Sequence, residues 1–251
     1  MLESLKIWMH QGRQYIPDVT TTEVPGIYRG RPIISESEVD ETRLAEMCPT
    51  SAIETSPMSI DLGKCTFCGE CAIACPEKVT FTKDYHLGTN KRENLIVRAG
   101  ENKPIEMDVE KIRKEIRSMF GRSLKLRQVS AGGDGSCEAE LNATGNVNFD
   151  MGRFGIDFVA SPRHADGIVL TGPITENMAE PFLEAYRSVP EPKLLILVGV
   201  DAISGGIYNG SKALRREVLE NLHVDLYVPG NPVHPLTFVN AVLGLLGRKN
   251  R

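Results

Sequence analysis

Four cysteines within eleven residues are where this sequence can do chemistry: Cys65-Thr-Phe-Cys68-Gly-Glu-Cys71-Ala-Ile-Ala-Cys75-Pro76. The C-x2-C-x2-C-x3-C-P spacing places three thiolates on one tight loop, each able to reach a different iron of a single [4Fe–4S] cubane. Gly69 lets the backbone wrap closely and Pro76 turns the chain away. Zinc is the rival, since thiolates at C-x-x-C spacing suit it, but a zinc site seldom takes a third cysteine after only two more residues. Cys48 and Cys137 complete a total of six cysteines. In an exported chain an even count would suggest disulfides. Here the start, Met1-Leu-Glu-Ser-Leu-Lys-Ile-Trp-Met, lacks the pattern of a signal peptide. The expectation is intracellular metal binding.

The fourth ligand has two candidates. The run is the one found in bacterial ferredoxins, and in two-cluster ferredoxins the fourth cysteine of a run ligates the other run's cluster. Upstream, Met47-Cys48-Pro49-Thr-Ser-Ala-Ile looks like the tail of a second run that lacks its first three cysteines. The crossing rule then gives Cys65, Cys68 and Cys71 one cluster, with Cys48 as fourth ligand and Cys75 a free thiol. The alternative uses Cys75 as the fourth ligand and leaves Cys48 a buried thiol. Either way this segment holds one [4Fe–4S] cluster.

These residues need elements to position them. Residues 1–35 read as an arm, with a short amphipathic start (Leu2, Leu5, Ile7, Trp8) followed by a stretch broken by Pro17, Pro25 and Pro32. Residues 36–100 read as a ferredoxin-type domain, with an acidic helix ending near Met47 and two Cys-Pro turns. Residues 101–123 read as a helical connector, with Val109, Ile112, Ile116 and Met119 or Phe120 on one face. From residue 124 onward the character changes. The runs 167–171 and 193–199 are near-continuously apolar, as in strands buried on both faces of a parallel sheet. Residues 226–228 and 124–129 are further strand candidates, and 176–189, 211–222 and 235–246 read as helices. Strands alternating with helices predict an open α/β sheet over 124–251, whose sites form in loops at the carboxyl ends of strands.

Composition narrows the function. Of 251 residues, 41% are hydrophobic and 25% charged, which fits a folded chain and excludes wholesale disorder. The net charge of −4 argues against a nucleic-acid partner. No apolar run approaches the roughly 20 residues of a membrane span. Gly132-Gly133 and Gly205-Gly206 follow neither the G-x-G-x-x-G nor the P-loop spacing and read as tight turns. No nucleophile–base constellation stands out, so no residue of the chain is assigned a catalytic role.

Several segments carry a resemblance: Ser123-Leu-Lys-Leu-Arg-Gln-Val-Ser-Ala-Gly, Ser161-Pro-Arg-His-Ala-Asp-Gly-Ile-Val-Leu-Thr-Gly-Pro173, Thr175-Glu-Asn-Met-Ala-Glu-Pro181, Val189-Pro-Glu-Pro-Lys and Ala202-Ile-Ser-Gly-Gly206. Over about residues 123–246 the chain resembles the small subunit of membrane-bound energy-converting [NiFe]-hydrogenases and formate hydrogenlyase. That subunit is similar to the smallest cluster-bearing hydrophilic subunit of respiratory complex I. The first hundred residues resemble the ferredoxin-type partner subunit of the same complexes, fused in front.

The resemblance implies a flavodoxin-like α/β domain beside a hydrogenase large-subunit-like protein. It also implies membrane subunits in the same complex and a soluble ferredoxin or other electron donor. The chain would sit peripherally on the cytoplasmic side of the membrane, held there by its partners. In the family this domain holds the [4Fe–4S] cluster nearest the active site, through a C-x-x-C pair, a later cysteine and a final Gly-Cys-Pro. The matching positions here are Asp134, Cys137, Asp201 and Asn231. One thiol with two carboxylates and an amide is a hard set, poorly matched to iron–sulfide, so the expectation is that this proximal cluster is lost. Arg163, His164 and Glu138 also match the family. Loop capping or salt bridging accounts for them as well as a proton role does. The end, Arg248-Lys-Asn-Arg, reads as a solvated basic tail.

Overall fold

The structure, a computed structural model, describes residues 2–12, 14–108, 110, 112 and 114–248. Val109 of the connector face and residues 249–251 of the basic tail lie outside them. The N-terminal half begins with helix α1 (Leu2–Gln11), all of whose residues are exposed. Strand β1 (Pro32–Ile34) pairs antiparallel with β4 (Val79–Phe81), so the last residues of the arm already belong to a sheet. Between them come α2 (Glu41–Glu46), β2 (Ile53–Glu54), β3 (Ser59–Asp61) and α3 (Glu70–Ala74). Helix α2 starts where the Asp40 carboxylate accepts the Arg43 N–H at 3.1 Å. Strands β2, β3 and β5 (Ile96–Arg98) form a three-stranded antiparallel sheet over Met58, Ile60, Leu62 and Leu95. The connector supplies α4 (Lys114–Met119).

The C-terminal half is a five-stranded, all-parallel sheet built from β6 (Leu124–Ser130), β7 (Ile156–Phe158), β8 (Gly167–Thr171), β9 (Leu194–Val198) and β10 (Leu226–Val228). The spatial order is β10-β9-β8-β6-β7. Numbered within the half, that is the flavodoxin-like order 2-1-3-4-5, with its switch point between β6 and β8. Every residue of β8 and β9 is buried because helices cover both faces. On one face Leu194, Ile196 and Val198 pack with α5 (Ser136–Ala143) and α8 (Pro235–Leu246). On the other, Leu195 and Leu197 pack with α6 (Glu176–Ser188) and α7 (Val200–Ser204).

One reading of the sequence needs correction, and one strand has no signal in it. Residues 211–222 form turns with one 3-10 segment, Arg216–Leu219, rather than a helix. Their backbone is engaged elsewhere, since the Glu176 N–H donates to the Ala213 carbonyl and the Arg215 N–H to the Ile174 carbonyl. Strand β7 carries no clear sequence signal, because Ile156–Phe158 is only three residues long and pairs at the sheet edge with β6 alone.

The halves are joined by backbone pairing at the β10 edge of the main sheet. The Thr89 N–H donates to the Tyr227 carbonyl at 3.0 Å, and the Tyr227 N–H returns the bond at 2.8 Å. Beside this, Gly88 lies so close to α8 that a Cβ there would stand 2.2 Å from the Ala241 Cβ. Phe238 of α8 is fully buried and stacks on Phe158 with ring centroids 6.0 Å apart. Phe238→Ala should cost about 3–5 kcal/mol of stability by cavity formation, measured by denaturant unfolding of the full chain.

Candidate metal centre

The cysteine run wraps a small, apolar cavity lined by Cys48, Cys65, Cys68 and Cys71, with Ile53, Ile60 and Phe81 behind them. Two backbone features bend the loop inward. Phe67 has φ 56° and Gly69 φ 84°, so the residues either side of Cys68 are both left-handed. The glycine adopts this freely, whereas Phe67 must be held there. Gly69 then starts α3, which carries Cys71. Cys48 arrives from the turn after α2. Its sulfur accepts the Ala52 N–H at 3.2 Å, while the Cys65 sulfur accepts the Phe67 N–H at 3.3 Å.

Burial raises two of these thiols. It pushes Cys65 up to about 12 and Cys71 up to about 11, and the neighbouring cysteines add to both shifts. A set of four thiolates in this cavity therefore needs a compensating positive charge. Cys75 stands apart, partly exposed beyond the end of α3, with its thiol donating to the Glu77 carboxylate at 3.2 Å. Desolvation and that carboxylate raise the Cys75 thiol above its ordinary value. Among the described residues no three His, Cys, Asp or Glu side chains group tightly enough for one metal ion.

Asp134, Cys137, Asp201 and Asn231 all lie beyond the carboxyl ends of strands, where sites form in open α/β sheets. Asp134 and Cys137 follow β6, Asp201 follows β9 and Asn231 follows β10. Asp134 is largely solvent-facing, and its Oδ1 accepts the Ser136 N–H at 2.9 Å and the Ser136 hydroxyl at 2.6 Å. Those bonds hold its carboxyl below the usual value. Cys137 is buried against Gly199, where a Cβ would come within 2.6 Å of its sulfur, and burial raises its thiol to about 12. Asp201 is half-buried and its carboxyl rises to about 6, through burial first and repulsion from Asp134 second. Arg216 opposes that rise while donating to the carbonyls of Asp201, Ala202 and Ile203, each at 2.9 Å. Asn231 is exposed and faces a different cavity, shared with Tyr28, Arg29, Phe67 and His234.

The other family matches have ordinary surroundings. Arg163 and His164 lie in the 3-10 turn Pro162–His164 at the surface, and Glu138 Oε1 accepts the Thr171 hydroxyl at 2.7 Å. Two residues at these sites had no signal in the sequence. Arg216 sits in the segment read as a helix. Arg29 sits in the proline-broken arm, yet its guanidinium reaches the Phe67 carbonyl at 3.2 Å.

The model for the NADH ubiquinone oxidoreductase, 20 Kd subunit, family matches residues 135–245, and the 4Fe-4S binding domain model matches residues 58–79. Formate hydrogenlyase subunit 7 of Escherichia coli is 36% identical over 153 residues, covering 58% of this chain and 60% of that protein. An NADH-quinone oxidoreductase subunit of Geotalea daltonii is 39% identical over 109 residues, covering 43% of this chain and 64% of that protein. A Pyrococcus furiosus protein described as "Probable membrane-bound hydrogenase subunit mbhJ" is 32% identical over 129 residues, covering 51% of this chain and 77% of that protein. The chain thus spans less than two thirds of the length of the first two.

The Asp201 carboxyl gives a pH prediction. Between about pH 4 and pH 6 the folded chain keeps a proton there that the unfolded chain has released, so this group's contribution to stability falls as pH rises through that window. Asp201→Asn should remove the fall. The variant should gain on the wild type by on the order of 1 kcal/mol from about pH 4 to pH 6.5, a figure reduced for solvent screening of a half-exposed group. Denaturant unfolding of both proteins across that range measures it.

Proposed function

The chain belongs to the NADH ubiquinone oxidoreductase 20 Kd subunit family, and from that membership we propose that it is an iron–sulfur electron-transfer and docking subunit of a membrane-bound hydrogenase- or complex I-like assembly. It holds one [4Fe–4S] cluster in the N-terminal half and none at the edge of the parallel sheet. The observation that carries this reading is the arrangement of thiols: four line one cavity in the N-terminal half, and only Cys137 remains at the sheet edge.

The four-thiol cavity fits the group. Its donors are soft, its walls are apolar, and backbone N–H groups already point at two of its sulfurs. Cys48, Cys65, Cys68 and Cys71 are the ligands in this reading, and Cys75, bonded to Glu77, is not. When bound, a cluster of this kind supplies one-electron transfer. The residues do the rest. Cys65 and Cys71 keep water from one side by their burial, while exposed Cys68 leaves one edge open to an electron donor. The thiols must release their protons on loading, which makes uptake dependent on pH.

The α/β half serves as the docking module toward a hydrogenase large-subunit-like protein and membrane subunits, with a soluble ferredoxin or other carrier as donor. No described helix is long and apolar enough to cross a membrane, and in this reading membrane association comes through those partners, on the cytoplasmic side. Catalysis belongs to the whole assembly. A second reading makes the chain a structural or coupling subunit whose cluster carries no current. It draws support from the carboxylates and amide at three of the four edge positions.

Anaerobically reconstituted full chain should carry about four irons and about four sulfides. A content near eight would overturn the one-cluster reading. Cys48→Ala should convert or destabilise the cluster, seen by electron paramagnetic resonance, while Cys75→Ala should leave the spectrum unchanged. The reverse pattern would overturn the ligand assignment. A cluster that dithionite cannot reduce would favour the structural reading over electron transfer.

A further inference from the structure

The N-terminal arm passes directly over the cysteine loop, and its path is fixed on both sides of Arg29. Behind Arg29, the Gly30 N–H donates to the Thr82 carbonyl at 2.8 Å and the Arg31 N–H to the Asp84 carbonyl at 3.0 Å. Ahead of it, the Lys83 ammonium binds the carbonyls of Gly26 and Tyr28. The Tyr28 hydroxyl lies 3.2 Å from that of Thr237 on α8. The arm is therefore a strap, and the side chain it delivers is a permanent cation.

That cation lies along the loop. Arg29 Nη1 donates to the Phe67 carbonyl at 3.2 Å, and Arg29 Nε occupies the space that a Cβ on Gly69 would need, 2.6 Å from it. Phe67 and Gly69 flank Cys68, the exposed cysteine of the four. Any side chain at position 69 would displace the guanidinium, so the bare glycine admits the charge as well as the backbone turn. Glu70 begins α3 next to it as an exposed counter-charge, and Lys83 lines the adjoining cavity as a second cation.

We propose that Arg29 is a positioning residue of the cysteine loop whose guanidinium charge raises the reduction potential of the cluster held there. The inference rests on the preceding assignment of a [4Fe–4S] cluster to this loop. One-electron reduction adds one negative charge to such a site and breaks no bond, so a fixed cation within the same loop favours the reduced form. Arg29 is itself exposed, and water screens its charge, which keeps the effect moderate.

The test is a redox titration of the full reconstituted chain with dithionite as reductant, followed by electron paramagnetic resonance. Arg29→Gln should lower the equilibrium constant for reduction about threefold to tenfold, a fall of ~28 to ~59 mV for one electron. Arg29→Lys, which keeps the charge, should recover most of the loss. An unchanged or raised midpoint in Arg29→Gln would overturn the proposal. So would equal falls in both variants, which would assign the effect to loop packing rather than charge. If Arg29→Gln takes up no iron, Arg29→Met against Arg29→Lys makes the same comparison, and failure of both neutral variants to load would also overturn a role in potential. Absence of a cluster from the wild-type chain would instead overturn the assignment on which the proposal rests.

Discussion

Helix α8 is apolar on every side, with ten of its twelve residues buried, and the molecule is arranged around the need to cover it. The parallel sheet covers one side through Ile196, Val198 and Val228. The N-terminal half covers the other, where Gly88 meets Ala241 and the Asn240 amide donates to the Val19 carbonyl at 2.7 Å. Each fully buried aliphatic side chain contributes roughly 1.5–3 kcal/mol, so neither half can leave α8 without exposing much of the core of the other. The Thr89–Tyr227 backbone bonds set the register of this joint. Two sequence segments of different character become one body by this contact.

The same joint brings the cysteine loop to the carboxyl edge of the parallel sheet. Phe67 of the loop shares a cavity with Pro229, Gly230, Asn231 and Pro232, the turn that follows β10. One end of that neighbourhood is soft and apolar, with four thiols. The other is hard and polar, with Asp134, Asp201 and Glu138 acting on a single buried thiol, Cys137. The strand order still gathers Asp134, Cys137 and Asp201, because loops at a topological switch point converge whatever residues they carry. What differs is the donor chemistry. Arg216 stabilises this polar edge by binding the carbonyls of α7 beneath Asp201.

Charge is managed differently at the two ends. In the cysteine loop, burial raises the thiols of Cys65 and Cys71 and so opposes their ionisation, and Arg29 sits outside the cavity, bonded to the Phe67 carbonyl beside exposed Cys68. At the sheet edge the carboxylates are unequal. Asp134 spends its lone pairs on Ser136 and stays acidic, while Asp201, half-buried and repelled by Asp134, is driven upward. A pair of carboxylates with such divergent environments behaves as one proton-holding and one ionised group in mildly acidic solution.

The sequence by itself determined the local chemistry. The x2-x2-x3 spacing of Cys65, Cys68, Cys71 and Cys75 carried the metal-binding reading, and the doubly buried strands of β8 and β9 carried the parallel sheet. Both signals lie within short windows, where type and period suffice. Short elements held by distant pairing were out of reach: β7 is three residues at an edge, and residues 211–222 carry a helix-like text that the Ala213 and Ile174 bonds overrule. The crossing rule named Cys48 as fourth ligand and Cys75 as a free thiol. The tertiary structure adds the shape, with Cys48 lining the cavity, Cys75 turned toward Glu77 and the loop bent by left-handed turns at Phe67 and Gly69. It alone laid Arg29 of the arm over Gly69 of the loop. Contacts between such remote segments follow from how cores are closed, and closure is a property of the whole chain.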